Sequence, residues 1–483
     1  MSLAKKIVIV GGGITGLSAA FYLKREMEEK QIPYELTVIE ATDRLGGKIR
    51  TLHKEGYTIE RGADSFLGRK LPAIRLAEAL DLSDQLVRNS TGQAYIHLHN
   101  QLHKMPQGAY MGVPTQLAPL LHTDLYSVKG KLRAGLDYVL PKGKAVPDQS
   151  LGGFLRRRLG DELVENVMEP LLSGIYSADV DKMSLMATFP NFYELEQEHR
   201  SLIKGLRKTL PQQNRSTGKK TGQFFAYQGG FESMIDALAN ELGEEQIIRN
   251  QAVKKIEKST NKYDVHLQNG DVYDADAVIM TTPHRTFPKL FESFDLFDPL
   301  KEIPVSSAAN IAFAFDESAL EDPLDGTGFV VSRNSDFRIT ACTWVHKKWP
   351  HTTPKGKILL RAFVGKPNDQ EVVDLPDEEL TALVRHDLQR IMKIVGEPEF
   401  TVITRWKEQM PQYTVGHQDR IARVRGQMEK QLPGIFLAGS SFGGVGVPDC
   451  IGQSEELVAD VLDYFKENEP VASDAKSYSN PQS

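Results

Sequence analysis

Gly11, Gly13 and Gly16 are spaced as G-x-G-x-x-G, and a carboxylate, Glu40, closes the next apolar run. These residue types in this order suit the binding of a dinucleotide. Gly11 permits a tight turn, Gly13 lets the backbone approach a pyrophosphate, and Gly16 lets a helix pack closely on a strand. The backbone of residues 11–16, which include Gly12, Ile14 and Thr15, then meets the phosphates at the positive end of the helix dipole. Glu40 can accept hydrogen bonds from ribose hydroxyls and disfavours a 2′-phosphate. The chain has 39 glycines, so the spacing alone is weak evidence, and a strand-turn-helix without ligand is the competing reading. Context decides between them.

That context is a β-α-β unit. Residues 7–10 are Ile-Val-Ile-Val, a run of β-branched apolar residues that predicts a buried parallel strand. A helix to about residue 30 follows the glycines, and residues 36–39 predict a second buried strand. From about 91 to 210 short helical patterns dominate. Residues 211–222, PQQNRSTGKKTG, read as a linker. Strand and helix alternation then returns: Gly229 and Gly230 precede a helix, residues 246–248 and 277–280 read as strands, and Asn269-Gly270 marks a hairpin turn. Residues 307–405 mix strands and helices. Residues 434–438 form a last buried strand before a glycine-rich turn and a helix to about 465.

The fold class expected is α/β plus α+β. A discontinuous Rossmann-like nucleotide domain takes residues 1–66, 223–290 and 430–467. A mixed-sheet substrate domain takes 67–90 and 291–429, a helical insertion takes 91–222, and 468–483 read as a disordered tail.

The 483 residues are 40% hydrophobic and 25% charged, with a net charge of −6, which argues against nucleic acid as the main partner. Two distant cysteines, Cys342 and Cys450, match neither a disulfide framework nor a metal motif. No apolar run is long enough to span a membrane, and the first strand starts too early to leave room for a leader. A cytoplasmic location is expected.

Residues 44–48, Arg44-Leu45-Gly46-Gly47-Lys48, resemble the R-x-G-G signature of the amine oxidase-like flavoprotein superfamily, with Lys48 where an arginine is frequent. The resemblance implies FAD as cofactor, with this segment against its pyrophosphate and flavin. It also implies adenine contacts at Val253, and a second helix start against the flavin at Gly439, Val445, Gly446 and Val447. A positive helix end there would stabilise an anionic reduced flavin. Arg44 has a plain alternative, a salt bridge on a solvated loop, and Cys450 reads as a small buried residue.

From about residue 6 to 465 the chain resembles the bacterial protoporphyrinogen and coproporphyrinogen oxidases of haem synthesis. Residues 60–66 (ERGADSF), 170–176 (PLLSGIY), Trp406 with residues 410–413 (MPQY), Gly416-His417 and residues 444–450 (GVGVPDC) carry this resemblance. Ala63 departs from the proline usual in G-P-D-S. The resemblance implies cofactor contacts at Gly62, Ala63, Asp64, Ser65 and Trp406, and oxidation of coproporphyrinogen III, with protoporphyrinogen IX as a secondary substrate. Dioxygen would be the acceptor and hydrogen peroxide the by-product. A downstream haem-pathway enzyme is an expected partner.

Such a macrocycle needs apolar walls and a few cations. Arg69 and Lys70 are candidates for its propionates, with solvated charges as the alternative. Gly174 and Ile175 are candidates for a wall, with core packing as the alternative. No acid–base constellation stands out, so no catalytic residue is named, and no metal is expected. His284 and His417 read as structural or surface residues rather than catalytic bases. In relatives the helical insertion faces a membrane. Here Arg156-Arg157-Arg158 and an apolar stretch at 107–141 allow peripheral contact at the inner face of the cell membrane, while a helical lid with a solvated basic face is the simpler reading. Two other readings remain at this stage: an amine oxidase or carotenoid desaturase on the same fold, and a non-catalytic FAD-bound haem-delivery scaffold. Residues 443–450 supply no aromatic pair for an amine oxidase cage.

Overall fold

The computed structural model describes residues 4–106, 108–209, 222–321 and 325–468. The predicted linker and tail lie outside the described residues, except for Gly222 and Asn468 at their ends.

A five-stranded parallel sheet gathers three remote stretches of chain in the order Ile247–Ile248, Tyr34–Ile39, Lys5–Val10, Ala277–Met280 and Ile435–Leu437. Ile7 pairs with Leu36 on one side and Ala277 on the other. The apolar runs work because the sheet is covered on both faces. Ile7, Ile9, Val38 and Ile279 point one way, into a core with the helices Ile14–Glu29, Glu232–Leu242 and Val447–Glu467. Val8, Val10, Val278 and Met280 point the other way. There they meet the antiparallel strands Val253–Lys258, Tyr263–Leu267 and Val272–Ala275 and the helix His417–Gln431.

A seven-stranded mixed sheet stands beside it, in the order Phe400–Pro411, Val305–Asp316, Lys357–Val364, Ile339–Trp344, Gly328–Val331, Tyr95–Leu98 and Gln101–Lys104. The helix Asp377–Met392 covers it with Leu380, Val384 and Leu388. Residues 95–104 correct the sequence reading. They fall in the stretch expected to be helical, yet form a hairpin whose first strand pairs parallel with Gly328–Val331. His99 and Asn100 turn it with φ of 50° and 60°, the left-handed pair a two-residue hairpin needs.

The helices Val128–Gly135, Leu151–Leu159, Glu169–Tyr176, Pro190–His199 and Leu202–Thr209 enclose a separate core around Phe154, Val167 and Phe192. The three arginines do not form an open basic face. Arg158 is fully buried, with Nε 2.6 Å from Asp137 Oδ1. Arg157 pairs with Glu196 at 2.7 Å and Arg156 with Glu165 at 2.9 Å. Among the described residues no helix is long and apolar enough to cross a membrane.

Candidate functional site

The glycine turn joins Lys5–Val10 to Ile14–Glu29, and its three glycines answer to different demands. Gly11 has φ of +111°, a conformation few side chains adopt. A Cβ on Gly16 would lie 2.0 Å from the Gly11 carbonyl oxygen, so only glycine lets the helix seat here. Gly13 is different. Its φ is −76°, and a Cβ there would meet nothing closer than the Gly47 Cα at 4.0 Å. The fold does not require Gly13 to be bare, and the space beside it leaves its backbone open to a ligand. Gly13 also opens the helix without any side-chain cap, leaving the amides beyond it, at Ile14 and Thr15, for an anion.

Glu40 is locked against this turn. Its Oε2 accepts the Gly12 N–H at 2.8 Å, and Oε1 accepts the Thr42 N–H at 2.9 Å. Its backbone accepts from Gln251 N–H at 3.0 Å, which brings Val253, two residues on, to the same end of the site. The Gly46 N–H donates to the Gly12 carbonyl at 2.8 Å, so residues 44–49 fold onto the turn. Arg44 holds that loop in shape. It donates to the carbonyls of Gly47 (2.9 Å) and Ile49 (2.6 Å) and pairs with Glu232 at 3.3 Å. The plain alternative for Arg44 thus describes its side chain, while the glycines beside it face the turn.

Lys48 reaches the other half of the site, donating to the Gln409 carbonyl and standing 3.5 Å from Ser440 Oγ. Burial pushes its pKa down. A Cβ on Gly62 would lie 1.8 Å from the Lys48 carbonyl oxygen, so the segment Gly62, Ala63, Asp64 and Ser65 presses against the loop. Asp64 is held by Lys348 at 3.1 Å, by Arg361 at 3.9 Å and by Ser65 Oγ at 2.7 Å. Burial pushes its carboxyl up, but the two cations and these hydrogen bonds prevail and hold it well below the usual range. Trp406 pins the same segment, its Nε1–H donating to the Arg61 carbonyl at 3.0 Å.

At the C-terminus Gly439 and Gly444 have φ of +124° and +134°. Tyr413 fixes the loop between them: its hydroxyl donates to the Ser440 carbonyl at 2.7 Å and accepts the Gly444 N–H at 2.8 Å. Val445 and Gly446 lead into Val447–Glu467, where the Asp449 carboxylate accepts the Gly446 N–H at 3.3 Å. Ser454 Oγ donates to the Thr15 carbonyl at 2.8 Å. The first turn of the first helix therefore packs against the last helix about two turns in from that helix's own start, and a Cβ on Gly439 would lie 3.8 Å from Thr15 Oγ1. Burial pushes the Cys450 thiol up to about 11, which leaves it unreactive.

The substrate candidates are placed unequally. Lys70 Nζ lies 2.6 and 2.7 Å from the two carboxylate oxygens of Asp449, so it is engaged within the protein. Arg69 is exposed, has no carboxylate partner among the described residues, and stacks on Tyr110 at 4.8 Å. Gly174 is exposed, with open space where a side chain would be. Ile175 belongs to the helix Glu169–Tyr176, and its side chain lies outside the described residues. His284 sits between Ser441 Oγ (2.9 Å) and the Ile303 carbonyl (3.1 Å), and burial lowers its pKa. His417 stacks on Tyr413 with centroids 4.1 Å apart, and burial pushes it down to about 4. Burial thus favours the neutral form of both. Among the described residues no cluster offers metal ligands. Sequence reading missed Tyr413 as the clamp of the C-terminal loop, although the motif MPQY contains it. It missed Lys348 and Arg361 altogether, because nothing near them in the chain points to Asp64.

A parallel sheet with a glycine turn into its first helix, beside a mixed-sheet domain, fits an oxidoreductase of the flavoprotein class. A family model described as flavin containing amine oxidoreductase matches residues 14–462, and the chain belongs to that family. It is 50% identical over 463 residues to coproporphyrinogen III oxidase of Bacillus subtilis (strain 168), covering 95% of this chain and 98% of that one. It is 43% identical to coproporphyrinogen III oxidase of Staphylococcus aureus (strain NCTC 8325 / PS 47), over 95% and 100% of the two chains. A crystal structure assigned as a protoporphyrinogen oxidase from Exiguobacterium sp. 255-15 superposes with a TM-score of 0.85 at 39% identity, over 96% of this chain and 100% of that one.

Proposed function

We propose that this protein oxidises coproporphyrinogen III to coproporphyrin III in haem synthesis, with FAD as its flavin, and accepts protoporphyrinogen IX as a second substrate. One observation carries the reading: half of all residues are shared with the Bacillus subtilis coproporphyrinogen III oxidase along nearly the full length of both chains. The reaction removes six electrons and six protons from the macrocycle, and three molecules of dioxygen become three of hydrogen peroxide. FAD, when bound, supplies hydride acceptance and the onward transfer to dioxygen.

The protein's part is orientation and charge. Gly13 and Gly47 leave room for the pyrophosphate, and Glu40 is placed to meet the adenosine ribose. The helix start at Gly446 and Val447, with the Lys48 cation, favours negative charge on the ring system. Arg69 is free to meet a propionate, and Lys70 can exchange Asp449 for one. Gly174 opens the wall of the cleft. The labour divides mainly as the sequence reading divided the chain, with residues 1–66, 223–290 and 430–467 for the nucleotide, 67–90 and 291–429 for the substrate and 91–222 as a cover, except that residues 95–104 extend the substrate sheet and the helix His417–Gln431 packs on the nucleotide sheet.

The test mixes purified protein with coproporphyrinogen III anaerobically, then admits air. The expected result is bleaching of the flavin, then porphyrin fluorescence above the autoxidation rate with peroxide at three equivalents. Bleaching by an amine but not by the porphyrinogen would sink the reading.

A further inference from the structure

We propose that Tyr413 is a positioning residue for flavin reduction: its hydroxyl sets the loop 440–446 so that the start of the last helix and the Lys48 ammonium act together on the flavin ring. The proposal rests on the function inferred above and adds to it a residue that works through its neighbours. The loop lies between the strand Ile435–Leu437 and the helix Val447–Glu467, on the nucleotide side of the molecule. Tyr413 comes from the other side. It follows the strand Phe400–Pro411, which pairs with Val305–Asp316 in the seven-stranded sheet.

Tyr413 is itself firmly placed. The Gln412 N–H donates to the Pro304 carbonyl at 2.8 Å, and the Tyr413 carbonyl accepts the Ser184 N–H at 2.7 Å. Its ring lies on that of His417 with an interplanar angle of 15°, and the residue is buried. Its hydroxyl uses its donor and an acceptor position at once, on the Ser440 carbonyl and the Gly444 N–H, four residues apart in one loop. Burial pushes the phenol's pKa up, so it keeps the proton that the first of these bonds needs.

What the clamp holds is charge. Ser440, whose carbonyl accepts from Tyr413, has its Oγ 3.5 Å from Lys48 Nζ. Lys48 also donates to the carbonyl of Gln409, four residues before Tyr413 on the same stretch of chain. It makes no ion pair among the described residues. Charges drawn out of water are paired, so this cation is left for a charge the chain does not itself supply. On the other side of the loop Tyr413 holds the Gly444 N–H and Asp449 holds the Gly446 N–H. Val445 lies between these two clamped amides, and its own N–H has no partner among the described residues. Donors fixed in advance stabilise a developing charge because they need not reorient when it appears. Phenylalanine at 413 keeps the ring stack and releases the loop at both Ser440 and Gly444.

The test uses the flavin-loaded protein, its Tyr413→Phe variant and Tyr263→Phe as a control. Tyr263 is also buried, and its hydroxyl donates to the Pro433 carbonyl at 2.7 Å, so the control loses a comparable bond beyond the far end of the strand Ile435–Leu437. Flavin midpoint potentials are measured with a chemical reductant and a reference dye, and anaerobic flavin reduction by coproporphyrinogen III is followed separately. Tyr413→Phe should weaken the preference for reduced flavin about ten-fold, which is a midpoint about 30 mV lower, the size of effect that one hydrogen bond to a charged group exerts. Tyr263→Phe should leave the midpoint unchanged. Reduction by the porphyrinogen should slow about ten-fold in Tyr413→Phe at an unchanged half-saturating concentration. A midpoint that Tyr413→Phe leaves unchanged or raises, or an equal fall in both variants, would overturn the proposal. A wild type that the porphyrinogen does not reduce would sink the functional reading instead, and the midpoints would still decide the role of Tyr413. In the wild type, amide hydrogen exchange over residues 440–446 should be slow in both flavin states. Exchange there at the rate of an unstructured chain would overturn the proposal without any variant.

Discussion

Gly13 and Gly47 approach each other with no side chain between them: a Cβ on Gly13 would have the Gly47 Cα, 4.0 Å away, as its nearest neighbour. Gly16, three residues on, has no such freedom, with the Gly11 carbonyl oxygen 2.0 Å from where its Cβ would stand. One glycine is demanded by the fold; the other is not, which is what the proposed pyrophosphate contact requires. Gly13→Val is expected to fold, with unfolding free energy within about 1 kcal/mol of the flavin-free wild type, and to purify colourless. Gly16→Val is expected to lose about 3 kcal/mol or more, because backbone must move to admit it. Flavin absorbance per chain and urea unfolding of both variants separate the two roles. A yellow Gly13→Val protein would remove the argument for the pyrophosphate.

Lys70 meets Asp449 at 2.6 Å with its own side chain 42% exposed. A pair that open contributes under about 1 kcal/mol. Lys70→Met should therefore change stability little. If the ammonium leaves Asp449 for a propionate, the same variant raises KM about ten-fold while kcat holds, the mark of lost uniform binding. An unchanged KM would confine Lys70 to its contact with the last helix.

The strand, glycine turn and helix could be read from the sequence because their requirements are local. Glycine spacing, a β-branched run and a carboxylate at a strand end all fall within residues 7–40, and together they specify the β-α-β unit that the fold shows. Arg44 and Lys70 were harder. Both are cations beside glycine-rich segments, and their partners, Glu232 and Asp449, are brought near only by the folded chain. Arg158 shows the same limit: within a run of three arginines it reads as surface charge, yet it is fully buried because Asp137 and Glu196 converge on it. The strands at 95–104 were hidden for another reason. Tyr95, Ile96, His97 and Leu98 are all buried, so the alternation that marks a strand is missing from the first arm of the hairpin.

Trp406 was expected to contact the cofactor, and its indole N–H donates to the Arg61 carbonyl. Trp406→Phe keeps the ring and removes that bond. The expected cost is about 1 kcal/mol of stability, with flavin content unchanged. Thermal unfolding and the flavin-to-protein absorbance ratio check both. Loss of flavin without loss of stability would show that the indole acts on the cofactor directly.

Glu169 gives the fold a pH dependence of predictable sign. It opens the helix Glu169–Tyr176 and is 2% exposed; Oε1 lies 3.4 Å from Arg333, while Oε2 has no partner. Burial pushes its carboxyl up to about 7; Arg333 opposes this, and Asp179 and Asp181 add to it. A folded pKa above the unfolded value means that the folded state holds the proton longer. The resulting stability is fully present below the ordinary value of 4.5 and is lost as pH rises through 7. The full shift corresponds to on the order of 3 kcal/mol. Glu60, also near 7, acts in the same direction. Asp64 acts oppositely, but only at pH below the ordinary carboxylate range. The buried histidines with lowered pKa, His417 and His284 among them, also oppose Glu169, gaining stability as pH rises toward 6.5, so the Glu169 contribution is read against its own variant. Glu169→Gln mimics the neutral acid while Arg333 keeps Asp179 as a partner; relative to it, wild-type stability should fall from pH 5 to 8, leaving the variant the more stable protein at pH 8. Urea unfolding at pH 5, 6, 7 and 8 measures both slopes, and parallel curves would show that Glu169 ionises alike in the folded and unfolded chain.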